Sequence, residues 1–351
     1  MPALLLVAFL PFITALRPVI LVADVGVDDA AAFLLTLSDP SLKVLGVAST
    51  FGCHKEVEQT ARNAERLLSA ANRSDVPVYR GARFPLGTTG LMSIDGSYVH
   101  GSDGFGDLPD VEYESCSPAE NGGISAAEFI AQSARAAPST IDILSFSPLT
   151  NVALALAIEP RLPELVNSLI AMGGAVYAPG NASPLAEANF LHDAQAAKLV
   201  VHAFSQHAGK LILAPLDVTN PSVVGASGVE RMRTGGKAAA MFASAWPVYQ
   251  TAYCHLAGMC DGTPLHDAHP VAYLLAPHLY TRVEEMALEV VDSPGGAAHG
   301  MSLFDRRGKR RGEAHGTTVS NTGTVTVLLD VDREAFAHFL TESVARGKPI
   351  K

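Results

Sequence analysis

Apolar and polar positions alternate along the first part of the chain with two different periods. Short apolar runs predict buried strands at PVILVAD, KVLGVAS, VPVYRG, IDILSFS, SLIAMGG and KLILAPLD. Amphipathic stretches between them predict helices, among them DDAAAFLLTLSD, EVEQTARNAERLLSAA, PLTNVALALAIEPRL and DAQAAKLVVHAFSQ. This alternation, from Pro18 to about Thr219, is typical of a parallel sheet covered by helices on both faces. We therefore predict an α/β fold with three layers around a mostly parallel, Rossmann-like open sheet.

The pattern changes after Gly235. A long helical region is followed by the apolar run MALEVV, a basic turn, the strand-like run TGTVTVLLDV and a closing helix, DREAFAHFLTESVA. We interpret this half as helices and edge strands that extend the same sheet. No Pro/Ser-rich linker or repeat interrupts the chain, so we predict a single catalytic domain over residues 17–351.

The first residues form a separate, hydrophobic segment. Residues 3–16, ALLLVAFLPFITAL, are uncharged but too few to span a bilayer, so we expect no stable membrane span. The run suits the apolar core of a signal peptide, although a basic region before it is missing. Two possibilities stay open for residues 1–16: a signal peptide, with secretion, or a hydrophobic extension that remains attached to a cytoplasmic protein.

Charge and cysteine usage exclude several classes. The net charge of −10 leaves no basic face for a nucleic acid, and we interpret the basic cluster at residues 306–311 as a solvated hairpin tip. The cysteines are sparse and include no CxxC pair, which argues against a disulfide framework or a structural zinc site. Cys254 and Cys260 could bridge in an oxidising compartment, but we expect two free thiols.

An acidic cluster follows the first predicted strand, in LVADVGVDDAAAF. Asp24 ends the strand, Asp28 and Asp29 begin a helix, and Gly26 permits the sharp turn between them. Carboxylates that share one small volume repel each other unless a cation neutralises them, which predicts a hard divalent ion such as Ca²⁺ or Mg²⁺. A simpler alternative is that Asp28 and Asp29 only cap the helix, but this does not explain Asp24.

Two further segments carry candidate chemistry. In GNASPLAEANFLHD, the side chains of Asn181, Glu187 and Asn189 each offer two hydrogen-bonding atoms, which suits recognition of sugar hydroxyls. In DGTPLHDAHPVAYLLAP, His266 and Asp267 stand at the entrance of an apolar helix. Each segment alone also has a simpler interpretation, as an ordinary loop and as a helix cap respectively.

Together these segments resemble the inosine-uridine preferring nucleoside hydrolase family. The family's first strand ends in DxDxGxDD, and this chain matches it except for Val22 at the first Asp. GNASPxAExN and the HD pair are also family motifs, and PLTN aligns a family segment that supplies a main-chain carbonyl to Ca²⁺. The resemblance implies an enzyme that hydrolyses the N-glycosidic bond of ribonucleosides to ribose and free base, with Ca²⁺ as cofactor and a homodimer or homotetramer as assembly.

The resemblance also implies a role for each matching residue. Asp24 would bind Ca²⁺ and act as the base on a Ca²⁺-bound water, and His266 would protonate the leaving base. The other Ca²⁺ ligands would be Asp29, Asp267 and the carbonyl of Phe146. The residues expected to contact ribose are Asp28, Met172, Asn181, Glu187, Asn189 and Asp267.

Two rival hypotheses stay open. Val22, and Cys53 at a position where family members carry Asn, suggest a degraded member that binds nucleosides or ribose without turnover. A phosphohydrolase of the haloacid-dehalogenase type also places an Asp after its first strand, but it needs a second Asp where Gly26 stands.

Tyr249 and Tyr253 fit either a cover over the base or ordinary core packing.

Overall fold

The computed structural model describes residues 16–86, 95–109, 123–307 and 323–347. The strands, in chain order, are β1 (Arg17–Ala23), β2 (Leu42–Ser49), β3 (Val78–Arg80), β4 (Asp142–Ser145), β5 (Ser168–Met172), β6 (Leu211–Ala214), β7 (Val223–Val224), β8 (Thr263–Pro264), β9 (Arg282–Val290), β10 (Ser302–Phe304) and β11 (Thr324–Asp330). Residues 1–15 and most of the basic cluster lie outside the described residues, so the expectations for them remain predictions.

The helices are α1 (Val27–Ser38), α2 (Val57–Ala70), α3 (Ser97–His100), α4 (Ala126–Ala136), α5 (Thr150–Ile158), α6 (Leu162–Leu165), α7 (Ala188–His192), α8 (Ala194–Ser205), α9 (Leu216–Thr219), α10 (Ala226–Arg233), α11 (Lys237–Ala257), α12 (Ala268–Leu275) and α13 (Arg333–Ala345). A 3₁₀ turn covers Pro277–Leu279. Among the described residues, no helix combines the length and the apolar character that a membrane crossing requires.

One large sheet organises the molecule, with the strand order β10-β9-β11-β6-β5-β4-β1-β2-β3. The strands from β6 to β3 run parallel, and side chains alternate between the two faces of each strand. In β1, Leu21 packs in an apolar cluster with α1, α2, α11, α12 and α13, whereas Ile20 packs on the other face with α4, α5 and α8. The predicted three-layer α/β fold with a mostly parallel sheet is confirmed.

The strand order reverses at β1, and this reversal positions the site. The chain builds outwards from β1 to β2 and β3 on one side, and then returns to place β4, β5 and β6 on the other. Loops that follow β1 and β4 therefore leave the sheet in opposite directions and open a crevice at its carboxyl edge, where open α/β sheets bind their ligands. Asp24 follows β1 at this edge, and Phe146 follows β4.

The second half adds strands at one edge of the same sheet, as predicted, but their boundaries differ from the predicted ones. β11 pairs in parallel with β6, β9 is antiparallel to β11, and β10 is antiparallel to β9. β9 begins at Arg282, four residues before the apolar run. Its first residues, Arg282–Glu285, are largely exposed and polar, so the apolar pattern does not show this part of the strand.

The expectation of two free thiols is wrong for Cys254 and Cys260, which form a disulfide. Cys254 lies in the last turn of α11, and the helix ends where Gly258 adopts a left-handed φ of 70°. A glycine in this conformation reverses the chain direction after a helix. This reversal brings Cys260 back beside the helix, where its Cα atom lies 4.3 Å from the Cα atom of Cys254.

Candidate active site

The three carboxylates of the first motif lie at the bottom of the crevice. Asp24 comes directly after β1, and Asp28 and Asp29 occupy the first turn of α1; all three are buried. The Gly26 N–H donates a hydrogen bond to Asp29 Oδ2 at 2.9 Å, so Asp29 does cap its helix. Its Oδ1, however, and Oδ1 of Asp24 are buried without a hydrogen-bond partner among the described residues. Helix capping therefore accounts for only part of this cluster.

Asp267 joins the cluster from a distant part of the chain. It precedes α12, and carboxylate oxygens of Asp28, Asp29 and Asp267 lie within 4.8 Å of one another. Burial, together with the neighbouring carboxylates, raises the pKa of Asp24 and of Asp267 well above the usual range. Burial and the charge of Asp28 raise the pKa of Asp29 to about 7. The cluster is therefore electrostatically unfavourable by itself.

The donor set fits a hard divalent cation. Ca²⁺ and Mg²⁺ prefer carboxylate and carbonyl oxygens, and two carboxylate oxygens here are buried without a partner within the described ranges. The Phe146 carbonyl, on the loop after β4, accepts a hydrogen bond from Asn189 Nδ2 at 3.1 Å, and Phe146 borders the same cavity as Asp24 and Asp267. All the residues that the sequence predicts as metal ligands are thus brought to one place.

The loop after β2 supports Asp24 through its backbone. The Cys53 N–H donates to Asp24 Oδ2 at 2.6 Å, and Cys53 Sγ lies 3.7 Å from Asp29 Oδ2. Gly52 has a φ of +150°, and a Cβ added there would stand 1.8 Å from Asp24 Oδ2. Only a glycine permits this approach. Cys53 therefore contributes a main-chain donor, which does not depend on the side-chain amide that it lacks.

Val22 has no part in the cluster. Its side chain is fully buried and packs with Ile20 and Ala48 in the apolar core on the α4–α5–α8 face. A hydrophobic residue at this position therefore fits the fold, and Val22 is not among the residues that form the carboxylate cluster.

One wall of the crevice is polar and comes from the segment after β5. Glu187 caps α7: its Oε1 accepts from the Asn189 N–H at 2.8 Å, and its Oε2 accepts from the Gly174 and Phe190 N–H groups, each at 3.1 Å. Burial raises the pKa of Glu187 to about 7. Asn189 Nδ2 also lies 3.4 Å from the carbonyl oxygen and from Sδ of Met172. These contacts fix both side chains before any ligand binds.

Asn181 lies at the rim of this wall and is exposed. Its Oδ1 accepts a hydrogen bond from the Ala188 N–H at 2.9 Å, which ties the loop to the first residue of α7. Asn181 also borders the cavity. The segment after β5 therefore forms a loop and a helix cap, as the simpler interpretation expects, and it also borders the cavity.

Another wall of the crevice holds His266 between two hydroxyl groups. His266 Nε2 lies 2.6 Å from the Tyr253 hydroxyl, and Nδ1 lies 2.7 Å from Thr219 Oγ1. Burial lowers the pKa of His266 to about 4, so the imidazole is neutral near pH 7. The Tyr249 hydroxyl lies 3.1 Å from Asp28 Oδ2, where it can donate. Both tyrosines of α11 therefore face the site, and the core-packing interpretation is insufficient.

These walls enclose a cavity of about 430 Å³. Of the residues predicted from the sequence, those at its surface are Asp24, Asp28, Phe146, Met172, Asn181, Glu187, Asn189, His266 and Asp267. Asp29 lies beneath them and is 0% exposed. His100, the last residue of α3, also borders the cavity, and its Nδ1 accepts a hydrogen bond from the Val27 N–H at 3.1 Å.

Sequence reasoning missed Gly52, Thr219 and His192. Gly52 and Thr219 follow predicted strands, and the position after a strand was the one available signal for them. His192 gives no such signal, because it lies at the end of α7, and only the structure shows that it borders the cavity.

Fold and site together define an α/β enzyme with a small-molecule cavity over a carboxylate cluster. Comparison with known proteins makes this class specific. The family model of the inosine-uridine preferring nucleoside hydrolases matches residues 19–338. A pyrimidine-specific ribonucleoside hydrolase, RihA of Klebsiella pneumoniae, is 32% identical over 329 residues, which are 93% of this chain and 98% of that protein. RihA of Citrobacter koseri is 33% identical with the same coverage.

Solved structures agree. The plant nucleoside hydrolase PpNRh1 matches with a TM-score of 0.81 and 28% identity, over 94% of this chain and 99% of that one. A purine-preferring ribonucleoside hydrolase from Gardnerella vaginalis matches with a TM-score of 0.81 and 26% identity, over 94% and 98% of the two chains. The chain belongs to the inosine-uridine preferring nucleoside hydrolase family. The predicted enzyme class, a ribonucleoside hydrolase, is confirmed, and the dehalogenase-type alternative is excluded.

Proposed function

We propose that this enzyme releases ribose and a free base from ribonucleosides in the cavity above the carboxylate cluster, with Ca²⁺ as its cofactor. One observation carries the proposal: carboxylate oxygens that are buried and have no partner in the described part of the chain lie beside a cavity with polar walls. Asp24, Asp29, Asp267 and the Phe146 carbonyl would hold the ion.

The ion, when bound, would neutralise the carboxylates, orient a water molecule and lower the pKa of that water. Asp24 would accept a proton from the attacking water. Its Oδ2 is held by the Cys53 N–H, and its Oδ1 has no partner among the described residues. One oxygen therefore fixes the side chain, and the other remains available for chemistry.

The polar wall would bind the sugar. Cleavage of an N-glycosidic bond builds positive charge on the ribose ring, and nearby carboxylates stabilise that charge more in the transition state than in the substrate. Asp28, Glu187, Asn189 and Asn181 border the cavity on the side of the cluster, together with Met172. Because the backbone contacts of Glu187 and Asn189 fix their orientation, these residues can position the hydroxyl groups of ribose at little entropic cost.

The wall with His266 would act on the leaving base. The base departs with negative charge, and a hydrogen-bond donor at this point stabilises it. His266 and Tyr253 form a hydrogen-bonded pair at the cavity, close to Tyr249 and Asp28. Leu256, Ala257 and Met259 complete an apolar surface against which a planar base can pack.

The names of the relatives guide the choice of substrates. The bacterial relatives at 32% and 33% identity are pyrimidine-specific, and a structural relative at 26% is purine-preferring. We therefore propose to test both pyrimidine and purine ribonucleosides as substrates, beginning with uridine and inosine. We also retain a homodimer or homotetramer as the proposed assembly.

The test measures ribose release from uridine and inosine by the wild type and by Asp24→Ala, each with Ca²⁺ and with a chelator. We expect activity that the chelator removes, and a loss of roughly 10²–10⁴-fold in the variant. Asp75→Ala is the matched control, because the Asp75 side chain is 66% exposed and pairs only with nearby Arg73 in the described part of the chain. If Asp24→Ala is as active as the wild type, Asp24 is not the base.

A second measurement addresses the rival hypothesis of a degraded member. Nucleoside binding is followed by calorimetry under saturating Ca²⁺, in parallel with ribose release. Binding without any release from the nucleoside panel would contradict the proposed hydrolysis and support a binding protein. Release from at least one nucleoside excludes that rival.

A further inference from the structure

Thr219 ends α9, directly behind the wall that holds His266. It is fully buried, and its Oγ1 lies 2.7 Å from His266 Nδ1. The other imidazole nitrogen, Nε2, lies 2.6 Å from the Tyr253 hydroxyl, which borders the cavity. The ring is therefore held at both nitrogens, with Thr219 on the protein side and Tyr253 on the cavity side.

Hydrogen-bond accounting decides which nitrogen carries the hydrogen. A threonine hydroxyl has one hydrogen to donate, and burying it without an acceptor is unfavourable. Within the described ranges, His266 Nδ1 is the one acceptor found for the Thr219 hydroxyl; in particular, it does not donate to a carbonyl of its own helix. Neighbouring hydroxyls do so: Ser222 donates to the Val218 carbonyl at 2.6 Å. The Thr219 hydrogen therefore points at Nδ1.

We infer that Thr219 is a positioning residue that holds His266 in the tautomer with the hydrogen on Nε2. Since Nδ1 accepts from Thr219, the neutral ring must carry its hydrogen on Nε2. Nε2–H then donates to the Tyr253 oxygen, and the Tyr253 hydrogen is left for the neighbouring Tyr249 oxygen or, when a substrate is bound, for a leaving base in the cavity. In the opposite tautomer, Tyr253 would have to donate to Nε2, and its hydrogen would face away from the substrate.

This inference rests on the proposed function, in which the wall with His266 activates the leaving base. It adds that the direction of the hydrogen bonds in this wall is set by a residue that does not border the cavity. Loss of the Thr219 hydroxyl should therefore weaken leaving-group activation and leave ribose binding intact.

The first test is spectroscopic. A long-range ¹H–¹⁵N correlation spectrum of histidine-labelled enzyme distinguishes the two tautomers, and His266→Gln identifies the signals of His266. We expect the Nε2–H pattern in the wild type and in Thr219→Ser, and a mixture of tautomers or the Nδ1–H pattern in Thr219→Val. An Nδ1–H pattern in the wild type overturns the inference, and so does an unchanged Nε2–H pattern in Thr219→Val.

The second test compares leaving groups. Departure of p-nitrophenolate from p-nitrophenyl β-D-ribofuranoside needs no protonation, whereas departure of a nucleobase does. For Thr219→Val we expect kcat for uridine and inosine to fall by about 10-fold or more, with KM nearly unchanged, and kcat for the riboside to change by less than about 2-fold. Thr219→Ser should restore nucleoside hydrolysis. Equal losses on both kinds of substrate would reduce Thr219 to a structural residue.

Ser222→Ala is the matched control, because it removes a buried hydroxyl and its hydrogen bond three residues further along the chain, without a contact to His266. It should leave both substrates unaffected. The readouts also separate this inference from the proposed function. If the wild type hydrolyses no nucleoside, the proposed function fails, and the spectrum still decides the tautomer. If the wild type is active and Thr219→Val slows both substrates equally, only the inference fails.

Discussion

Replacing Asp29 by Asn should make the metal-free enzyme more stable at alkaline pH while it abolishes the response to Ca²⁺. Asp29 is buried among carboxylates, and an Asn at this position can still accept the hydrogen bond from the Gly26 N–H. The substitution therefore removes one negative charge and retains the helix cap. Without a cation, that charge is destabilising; with the proposed cation bound, it would be a ligand.

The size of the effect follows from the site. Carboxylate oxygens of Asp28, Asp29 and Asp267 lie no more than 4.8 Å from one another. Two negative charges at this distance repel each other by roughly 3–4 kcal/mol at an effective dielectric constant of about 20. The folded-state pKa of Asp29 is raised from 3.8 to about 7, so its favourable contribution is present below pH 3.8 and is lost as the pH rises through 7. Between pH 5 and pH 8 this loss amounts to about 3 kcal/mol in the free energy of unfolding.

The assay is urea unfolding of wild type and Asp29→Asn at pH 5 and pH 8, with a chelator and with saturating Ca²⁺. With the chelator, the decrease in unfolding free energy between the two pH values should be smaller in the variant by about 3 kcal/mol. At a Ca²⁺ concentration near 100 times the dissociation constant, the wild type should gain about 3 kcal/mol and the variant almost nothing.

Asp142→Asn controls for the general effect of altering a buried carboxylate. Asp142 is buried but satisfied, because Arg17, Asn167 and Ser168 donate to it. This control should destabilise the enzyme at both pH values and keep its response to Ca²⁺. The electrostatic reasoning is refuted if Asp29→Asn retains the pH dependence of the wild type in chelator, or if Ca²⁺ stabilises both proteins equally.

Three other outcomes are expected. Gly52→Ala should lower both activity and Ca²⁺ affinity at least about 10-fold, since the added Cβ would stand 1.8 Å from Asp24 Oδ2; calorimetry with near-normal binding would contradict this. Burial lowers the pKa of His192 to about 4, so its contribution to stability is present above pH 6.5 and is lost as the pH falls through 4. The variant His192→Gln should therefore unfold less readily than the wild type on acidification, which circular dichroism can show. Cys254 and Cys260 should be unreactive towards a thiol reagent in unfolded, unreduced protein and become reactive only after reduction.

Much of the fold could be predicted from the sequence, because local patterns encode it. The apolar runs that became β1, β4 and β5 are continuous, since both faces of these strands are covered by helices. β9 shows the limit of this approach. Its first residues are largely exposed and polar, so the sequence shows no apolar run there. Only the pairing with β11 in the structure identifies these residues as part of the strand.

The site was predictable where several of its residues share one motif, and less so where they meet only in the fold. Asp24, Asp28 and Asp29 are neighbours in sequence and could be placed by strand and helix signals alone. The contact between Thr219 and His266 joins residues 47 positions apart, and no local pattern records it. The disulfide was mispredicted for a related reason: the left-handed turn at Gly258, and not the spacing of the cysteines, brings them together.

The lining of the cavity originates in different parts of the chain. Part of it is the segment after β5, whereas Leu256, Ala257 and Met259 lie inside the seven-residue ring that the Cys254–Cys260 bond closes. Under the proposed function, substitutions within that covalent ring would alter which nucleobase fits while the proposed cation ligands stay in place. Base preference would then be open to evolutionary or engineered change independently of the hydrolytic chemistry.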